Sequence, residues 1–249
     1  MGQERIIHAA LLGAGTVGSG VYKLVKDLEE EIISKTGARL VVDKILVRDT
    51  TKAREGIPSE LLIDRWDEIL NDPQIEIVIE VMGGIRPALT WLEEALRAGK
   101  QVVTANKDLL AEYGEQLFDA AEAGKCDLHF EAAVAGAIPI IRPLRQSLVA
   151  SELTEVMGIV NGTTNYILTR MTEDGMGYEE ALALATKLGY AESDPTADVE
   201  GYDAGRKVAI MASIAFNSNV TFSQVYTEGI THITAEDIRQ ISRDHSVVE

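Results

Sequence analysis

The stretch IIHAALLGAGTVGSGVYKLV, residues 6–25, decides the fold. A mostly apolar run from Ile6 to Leu12 ends in Gly13-Ala14-Gly15-Thr16-Val17-Gly18. Apolar residues then recur at helical spacing at Val21, Leu24, Val25, Leu28 and Ile32. Strand, glycine turn and amphipathic helix therefore follow one another. In that setting each glycine has its own task. Gly13 permits the tight turn, Gly15 lets a pyrophosphate approach the backbone, and Gly18 lets the helix pack closely on the strand. The helix N-terminus adds unsatisfied N–H groups that suit the same anion. A glycine triplet alone is a weak sign. Placed between a strand and a helix it points to dinucleotide binding, with a purely structural turn as the alternative.

Outward from this stretch, strand and helix patterns alternate. Glu29, Glu30 and Glu31 read as a solvated helix end, and Leu40 to Val47 as a second strand. Where an acidic residue would serve the ribose hydroxyls of NAD, the chain has Arg48, then Asp49, Lys52 and Arg54. An arginine fork can pair with a 2′-phosphate, so Arg48 favours NADP, whereas Asp49 keeps NAD open and a charged surface turn would look alike. Ile75 to Met82 is a near-continuous apolar run, as in a strand buried on both faces. Gly83-Gly84 breaks it, and Pro87 opens a helix with Leu89, Leu92, Ala95 and Leu96 as its stripe, ended by Gly99. Gln101 to Thr104 is a strand leading to Ala105-Asn106-Lys107. A helix marked by Leu110, Tyr113, Leu117 and Ala121 stops at Gly124, and Leu128 to Val134 is the last strand of the set. The alternation predicts an α/β, Rossmann-type, mostly parallel sheet whose ligands lie beyond the carboxyl ends of its strands. Lys107 sits at such an end, where partial desolvation would lower its pKa towards that of a useful acid or base. A solvated lysine at a helix start is the plainer reading, although the helix dipole disfavours a cation there.

Beyond Ala135-Gly136 the pattern changes, which divides the chain into a nucleotide domain, 1–134, and a second domain, 135–249. Pro139 to Leu148 reads as a helix and Glu152 to Val160 as a strand outside the first alternation. In GIVNGTTNYI, residues 158–167, Asn161, Gly162, Thr163 and Thr164 either present N–H and hydroxyl groups to a carboxylate or simply cap a helix. A helix striped by Ala181, Leu184, Ala185 and Leu188 leads into a loop, Gly189 to Asp194, which Pro195 keeps out of helix. Asp198 stands where an N-cap belongs, ahead of helix-compatible sequence as far as Phe216. Asp203 and Lys207 then share a face with Val199, Ile210 and Ile214. A charged pair on an apolar face is costly unless paired or used. An ordinary helix ion pair has the same spacing.

The 249 residues, 46% hydrophobic and 25% charged, suffice for two domains with real cores. A net charge of −17 argues against nucleic acid or anionic membrane as partner. No apolar run approaches the roughly 20 residues of a membrane span, and the N-terminus shows no cleavable signal pattern. One cysteine, Cys126, rules out an intrachain disulfide framework and suits the cytoplasm. Four scattered histidines and that cysteine form no zinc-ligand spacing.

Together these motifs resemble homoserine dehydrogenase. Ala185, Gly189, Asp194-Pro195, Asp198, Gly201, Asp203 and Lys207 fall at the spacings of that family's long signature. GAGTVG at 13–18, TANK at 104–107, EAAVAGAIPI at 131–140 and NGTTNYI at 161–167 follow in the family's order. The resemblance implies oxidation of L-homoserine to L-aspartate 4-semialdehyde with NAD(P), run in reverse in threonine and methionine biosynthesis. It implies Lys107 and Lys207 as a catalytic lysine pair and Asp203 as the group orienting the substrate. Glu192, with Asp198, would receive the substrate ammonium, and Asn161, Gly162 and Thr163 would lie at the substrate. Gly13, Gly15, Thr16, Val17, Gly18, Arg48, Gly83, Gly84, Thr104 and Lys107 would border the cofactor. Glu131, Val134, Gly136 and Ile138, mainly through carbonyl oxygens, would hold a monovalent cation such as Na+. The second domain would be α+β, with a mostly antiparallel sheet mediating a homodimer. Family members continue past this point, whereas this chain stops at Ser246-Val247-Val248-Glu249, so a C-terminal truncation is expected.

Two other readings compete. A different nicotinamide-dependent semialdehyde oxidoreductase, such as aspartate-semialdehyde dehydrogenase, would need a catalytic cysteine, and Cys126 stands at the entry of a strand, the wrong end. A non-catalytic nucleotide-binding module would keep the glycine turn but has no use for Lys107, Glu192, Asp203 and Lys207 together.

Overall fold

The opening apolar run forms β1, Arg5–Leu12, in which Ala9, Ala10, Leu11 and Leu12 are fully buried. Both faces of the strand are covered, so the run does not alternate. The structure, a computed structural model, describes residues 5–243. It divides into two units between Ser147 and Leu148.

In the first unit β1 lies at the centre of a six-stranded sheet with β2 (Ala38–Leu46), β3 (Leu62–Ile63), β4 (Ile75–Glu80), β5 (Gln101–Thr104) and β6 (Leu128–His129). The order is β3-β2-β1-β4-β5-β6, and every neighbouring pair is parallel. The direction of winding reverses between β1 and β4, which is where open α/β sheets bind ligands. The helices are α1 (Thr16–Asp27), α2 (Glu29–Thr36), α3 (Asp67–Leu70), α4 (Ala88–Arg97) and α5 (Lys107–Gly124).

Some local expectations shift. α1 buries Gly18, Tyr22 and Val25, while Leu24 and Leu28 stay exposed. The chain leaves helix geometry at Leu28, so Glu29, Glu30 and Glu31 open α2 instead of closing α1. Carboxylates in a first turn complement the helix dipole. Gly124 does not itself turn the chain: Lys125 takes the left-handed conformation, φ 55°. Gly124 instead makes room, since a Cβ there would lie 1.8 Å from the Leu96 carbonyl oxygen. The strand expected over 128–134 ends at His129, because the chain turns through a 3₁₀ segment at Glu131–Ala133. Glu131 thereby accepts hydrogen bonds from the backbone N–H groups of Ile140, Ile141 and Arg142. These bonds tie 140–142 to the sheet unit, and the two compact units divide between Ser147 and Leu148. In place of a regular helix over 139–148, helical geometry starts at Ile141 and widens into a π turn, Pro143–Ser147.

The second unit contains α6 (Gly162–Glu173), α7 (Tyr178–Leu188), α8 (Thr196–Val199), α9 (Tyr202–Ala215) and α10 (Ala235–Arg243). Ile167, Met171, Ala181, Ala185, Ala191 and Val199 form its core, with Tyr166, Leu182, Ile230 and Ile233 packed against them. Leu188, expected in the α7 stripe, is 55% exposed. Residues 152–160 do not form the expected strand, and Met157 and Ile159 are exposed. A strand needs a partner for its backbone groups, and among the described residues none pairs with this segment. The antiparallel part of the expected α+β domain is thus not seen there. The chain end at Ser246 to Glu249 lies outside the described residues. Among the described residues no helix is long and apolar enough to cross a membrane.

Candidate active site

In the first unit the glycine turn joins β1 to α1. Gly13 has φ +102°, and its N–H donates to the Leu46 carbonyl at 3.0 Å. A Cβ at Gly18 would lie 2.1 Å from the Gly13 carbonyl oxygen, so only glycine lets α1 come this close. At Gly15, by contrast, a Cβ would meet nothing within 4 Å. Gly15, Thr16 and Val17 are exposed, and the first turn of α1 carries no acidic residue. That open space at a helix N-terminus suits a pyrophosphate.

Past β2, Arg48 and Asp49 are both exposed. Asp49 Oδ1 accepts from Thr51 N–H at 2.9 Å and from its hydroxyl at 2.6 Å. The Thr51 hydroxyl, helped by that N–H, holds the Asp49 carboxyl below the usual range. Asp49 is therefore turned into its own loop, and Arg54 is tied to the carbonyls of Asp49 and Lys52.

At the ends of β4 and β5 the structure shows a residue that sequence reasoning missed. Glu80 is wholly buried. Its Oε1 accepts from the N–H groups of Met82 at 2.8 Å and Gly83 at 3.1 Å, and its Oε2 from the Thr104 hydroxyl at 2.6 Å. The Thr104 oxygen accepts from Asn106 N–H, while Asn106 Nδ2 donates to the Gly84 carbonyl at 2.6 Å. Asn106 Oδ1 accepts from Leu109 N–H and so caps α5, whose first residue is Lys107. Gly83, Gly84, Thr104 and the start of α5 are thus one bonded assembly. The only signal in the sequence was a glutamate closing the apolar run IEIVIE.

Glu131 lies beyond β6. Burial works against its charge, but N–H bonds from Arg142, Ile140 and Ile141 outweigh it and hold the carboxyl below the usual range. Ala135 and Gly136, both left-handed, follow in the same turn. Among the described residues no group of three or more His, Cys, Asp or Glu side chains could hold a metal ion. Cys126 contacts the Leu96 carbonyl, and burial raises its thiol pKa, which does not suit a nucleophile.

In the second unit Lys207 Nζ donates to Asp203 Oδ2 and to the Val160 carbonyl, each at 2.6 Å. Both side chains are largely buried. Asn161 Nδ2 donates to Asp198 Oδ1 at 2.7 Å and to Asp203 Oδ2 at 2.8 Å. Its Oδ1 accepts from the N–H and hydroxyl of Thr164 at the start of α6. Both amide protons and the amide oxygen are thus used inside the unit. Asn161 caps α6 and bridges two carboxylates. The Thr163 hydroxyl is likewise engaged, donating to the Tyr190 carbonyl at 2.8 Å.

The long helix expected from Asp198 is two helices. Gly201, φ +79°, separates α8 from α9 and leaves Asp198 inside α8. The interruption still delivers Asp198, Asp203 and Lys207 to one place through Asn161. Glu192 is exposed in the loop after α7. That loop is anchored by Tyr190, whose ring stacks on Tyr166 at 4.6 Å. Asp194 accepts from Thr196 and is a local turn residue.

Known proteins share the two domains in the same order along the chain. The family description "Homoserine dehydrogenase, NAD binding domain" matches residues 13–131, and "Homoserine dehydrogenase" matches 139–249. Homoserine dehydrogenase of Bacillus subtilis is 48% identical over 235 residues, 94% of this chain and 54% of its own length. The Mycobacterium tuberculosis protein of that name is 52% identical over 236 residues, 95% of this chain and 53% of its own. The chain thus spans about half the length of these curated relatives. A crystal structure of a homoserine dehydrogenase from Thiobacillus denitrificans superposes with TM-score 0.89 at 43% identity, covering 96% of this chain and 56% of that one. A putative homoserine dehydrogenase from Archaeoglobus fulgidus is matched with TM-score 0.82 at 33% identity over 96% of this chain and 77% of its own. With two family domains matched in order and a relative of this identity covered over most of its length, the chain belongs to the homoserine dehydrogenase family.

Proposed function

We propose that the protein interconverts L-homoserine and L-aspartate 4-semialdehyde by hydride transfer, a step of threonine and methionine biosynthesis, in the cytoplasm. The observation that carries this reading is Lys207, an ammonium group held by Asp203 and a carbonyl on a largely apolar helix face. A bound nicotinamide dinucleotide supplies the hydride acceptor or donor. Gly13, Gly15, Thr16, Val17 and Gly18 hold its pyrophosphate; the open space over Gly15 supports this. Gly83, Gly84 and Thr104 border the rest. Arg48 gives a preference for NADP over NAD, because its fork pairs with a 2′-phosphate. The inward turn of Asp49 lessens the repulsion beside it.

Lys207 moves the proton at the substrate's reacting oxygen, and Lys107 is assigned the same kind of proton work in its own unit. Asp203 orients the substrate, while Glu192, with Asp198, receives its ammonium end. Asn161, Gly162 and Thr163 lie at the substrate, Gly162 and Thr163 offering main-chain N–H groups at the start of α6 and Asn161 holding Asp198 and Asp203 in place. Neutral carbonyl oxygens of Val134, Gly136 and Ile138 suit a hard monovalent cation such as Na+. Glu131, whose carboxylate takes three N–H groups, holds that turn. Exposed Met157 and Ile159 support association, proposed as a homodimer. Cofactor absorbance followed with homoserine and NADP tests the whole reading. A folded full-length protein that reduces no cofactor in the presence of homoserine would refute it.

A further inference from the structure

We propose that Glu80 is a positioning residue for the nicotinamide half of the cofactor, locking the turn at 82–84 to the segment 104–107; this rests on the cofactor reading above. A wholly buried glutamate on a sheet strand needs a reason, because an apolar side chain of similar volume would fill the space without desolvating a carboxyl group. The reason is acceptance: its three partners are two main-chain N–H groups and one hydroxyl, all uncharged donors.

What those donors belong to gives the role. Glu80 and Thr104 are register partners at the last pairing of β4 with β5. The sheet reverses its winding between β1 and β4, so a dinucleotide seated on the glycine turn after β1 sends its two halves to opposite sides. Arg48 follows β2, on the adenosine side. The ends of β4 and β5 lie on the other side. The turn there passes through two left-handed glycines, Gly83 at φ +72° and Gly84 at φ +73°, and glycine backbone has little conformational preference of its own. Glu80 fixes one end of that turn. Asn106 fixes the other through the Gly84 carbonyl and also caps the helix that Lys107 begins. One carboxylate thus sets the backbone of Gly83, the Thr104 hydroxyl and the entry to α5 in a single geometry.

The test measures binding of NADPH and of 2′-phospho-ADP-ribose, the same molecule without nicotinamide, to the wild type and to Glu80→Gln, Thr104→Val and Thr104→Ser. In Glu80→Gln the charge is removed and the amide N–H₂ can only donate to the Thr104 oxygen, so the bond from the Thr104 hydroxyl is reversed and the link between the two segments is weakened. Glu80→Gln and Thr104→Val should weaken NADPH about tenfold, the size of one charge-assisted hydrogen bond, and leave 2′-phospho-ADP-ribose within about twofold. Thr104→Ser, which keeps the hydroxyl, should bind both like the wild type. Equal weakening of the two ligands would reduce Glu80 to a structural residue and overturn the proposal, as would unchanged NADPH binding. If Glu80→Gln does not fold, Thr104→Val and Thr104→Ser decide the same question. A wild type that binds neither ligand refutes the cofactor reading, and this proposal with it. A wild type that binds NADPH without oxidising homoserine refutes only the substrate.

Discussion

An ammonium group has three N–H bonds, and Lys207 directs two of them to Asp203 and to the Val160 carbonyl. In the proposed function the third goes to a substrate oxygen. Lys207→Met keeps the apolar stem and should lower turnover by about 10²–10⁴-fold; a variant with a near-normal rate would remove the assigned role. Asn161→Asp retains a good N-cap but replaces two donated bonds by repulsion from Asp198 and Asp203. Its homoserine KM should rise about tenfold or more with the cofactor KM unchanged, and Asp198→Asn in the same chain should recover part of the loss. Parallel changes in both KM values would instead indicate general damage to the fold. Lys207 and Asp203 were legible in the sequence because charge on an apolar face is conspicuous. The engagement of Asn161 was not, since its partners lie 37 and 42 residues away.

Among the elements, glycines separate what is local from what is packed. Gly20 and Gly124 both lie within helices, but a Cβ at Gly20 would meet open space and one at Gly124 the Leu96 carbonyl. Gly20→Ala should therefore stabilise by about 0.5–1 kcal/mol. Gly124→Ala should destabilise by about 1–3 kcal/mol or more through overpacking of α4 on α5. Thermal or denaturant unfolding of the two variants reads this contrast, and shifts of the same sign would contradict it. The turn after β6 has its own pH signature. The Glu131 carboxyl is held below the usual range, so the folded state binds fewer protons than the unfolded one. Its contribution is complete above the ordinary glutamate pKa of about 4.3 and is lost as pH falls through the depressed folded value. Glu131→Gln should remove that part of the acid dependence, which an unfolding series below neutral pH would detect. The break between α8 and α9 was not legible. A Cβ on Gly201 would lie 2.9 Å from the Glu228 carbonyl, so the interruption depends on a segment far along the chain.

For the whole molecule, the net charge of −17 opposes compactness through self-repulsion. Moderate NaCl should screen it and raise the unfolding temperature; a fall with added salt would show that local ion pairs outweigh the general repulsion. The sequence by itself determined the parallel sheet, the glycine turn and the order of the first unit's main elements. These rest on periodicity and on residues adjacent in the chain, and apolar runs such as 6–12 and 75–80 declare burial directly. It also marked the positions that carry the family resemblance. Only the tertiary structure decided that Glu80 is satisfied by the turn after β4 and the end of β5, that Asn161 bridges two carboxylates, and that 152–160 has no ladder partner among the described residues. Hydrogen bonds must be closed by whatever donor or acceptor folding brings near. For a buried polar group that partner lies tens of residues away, beyond the reach of any local pattern.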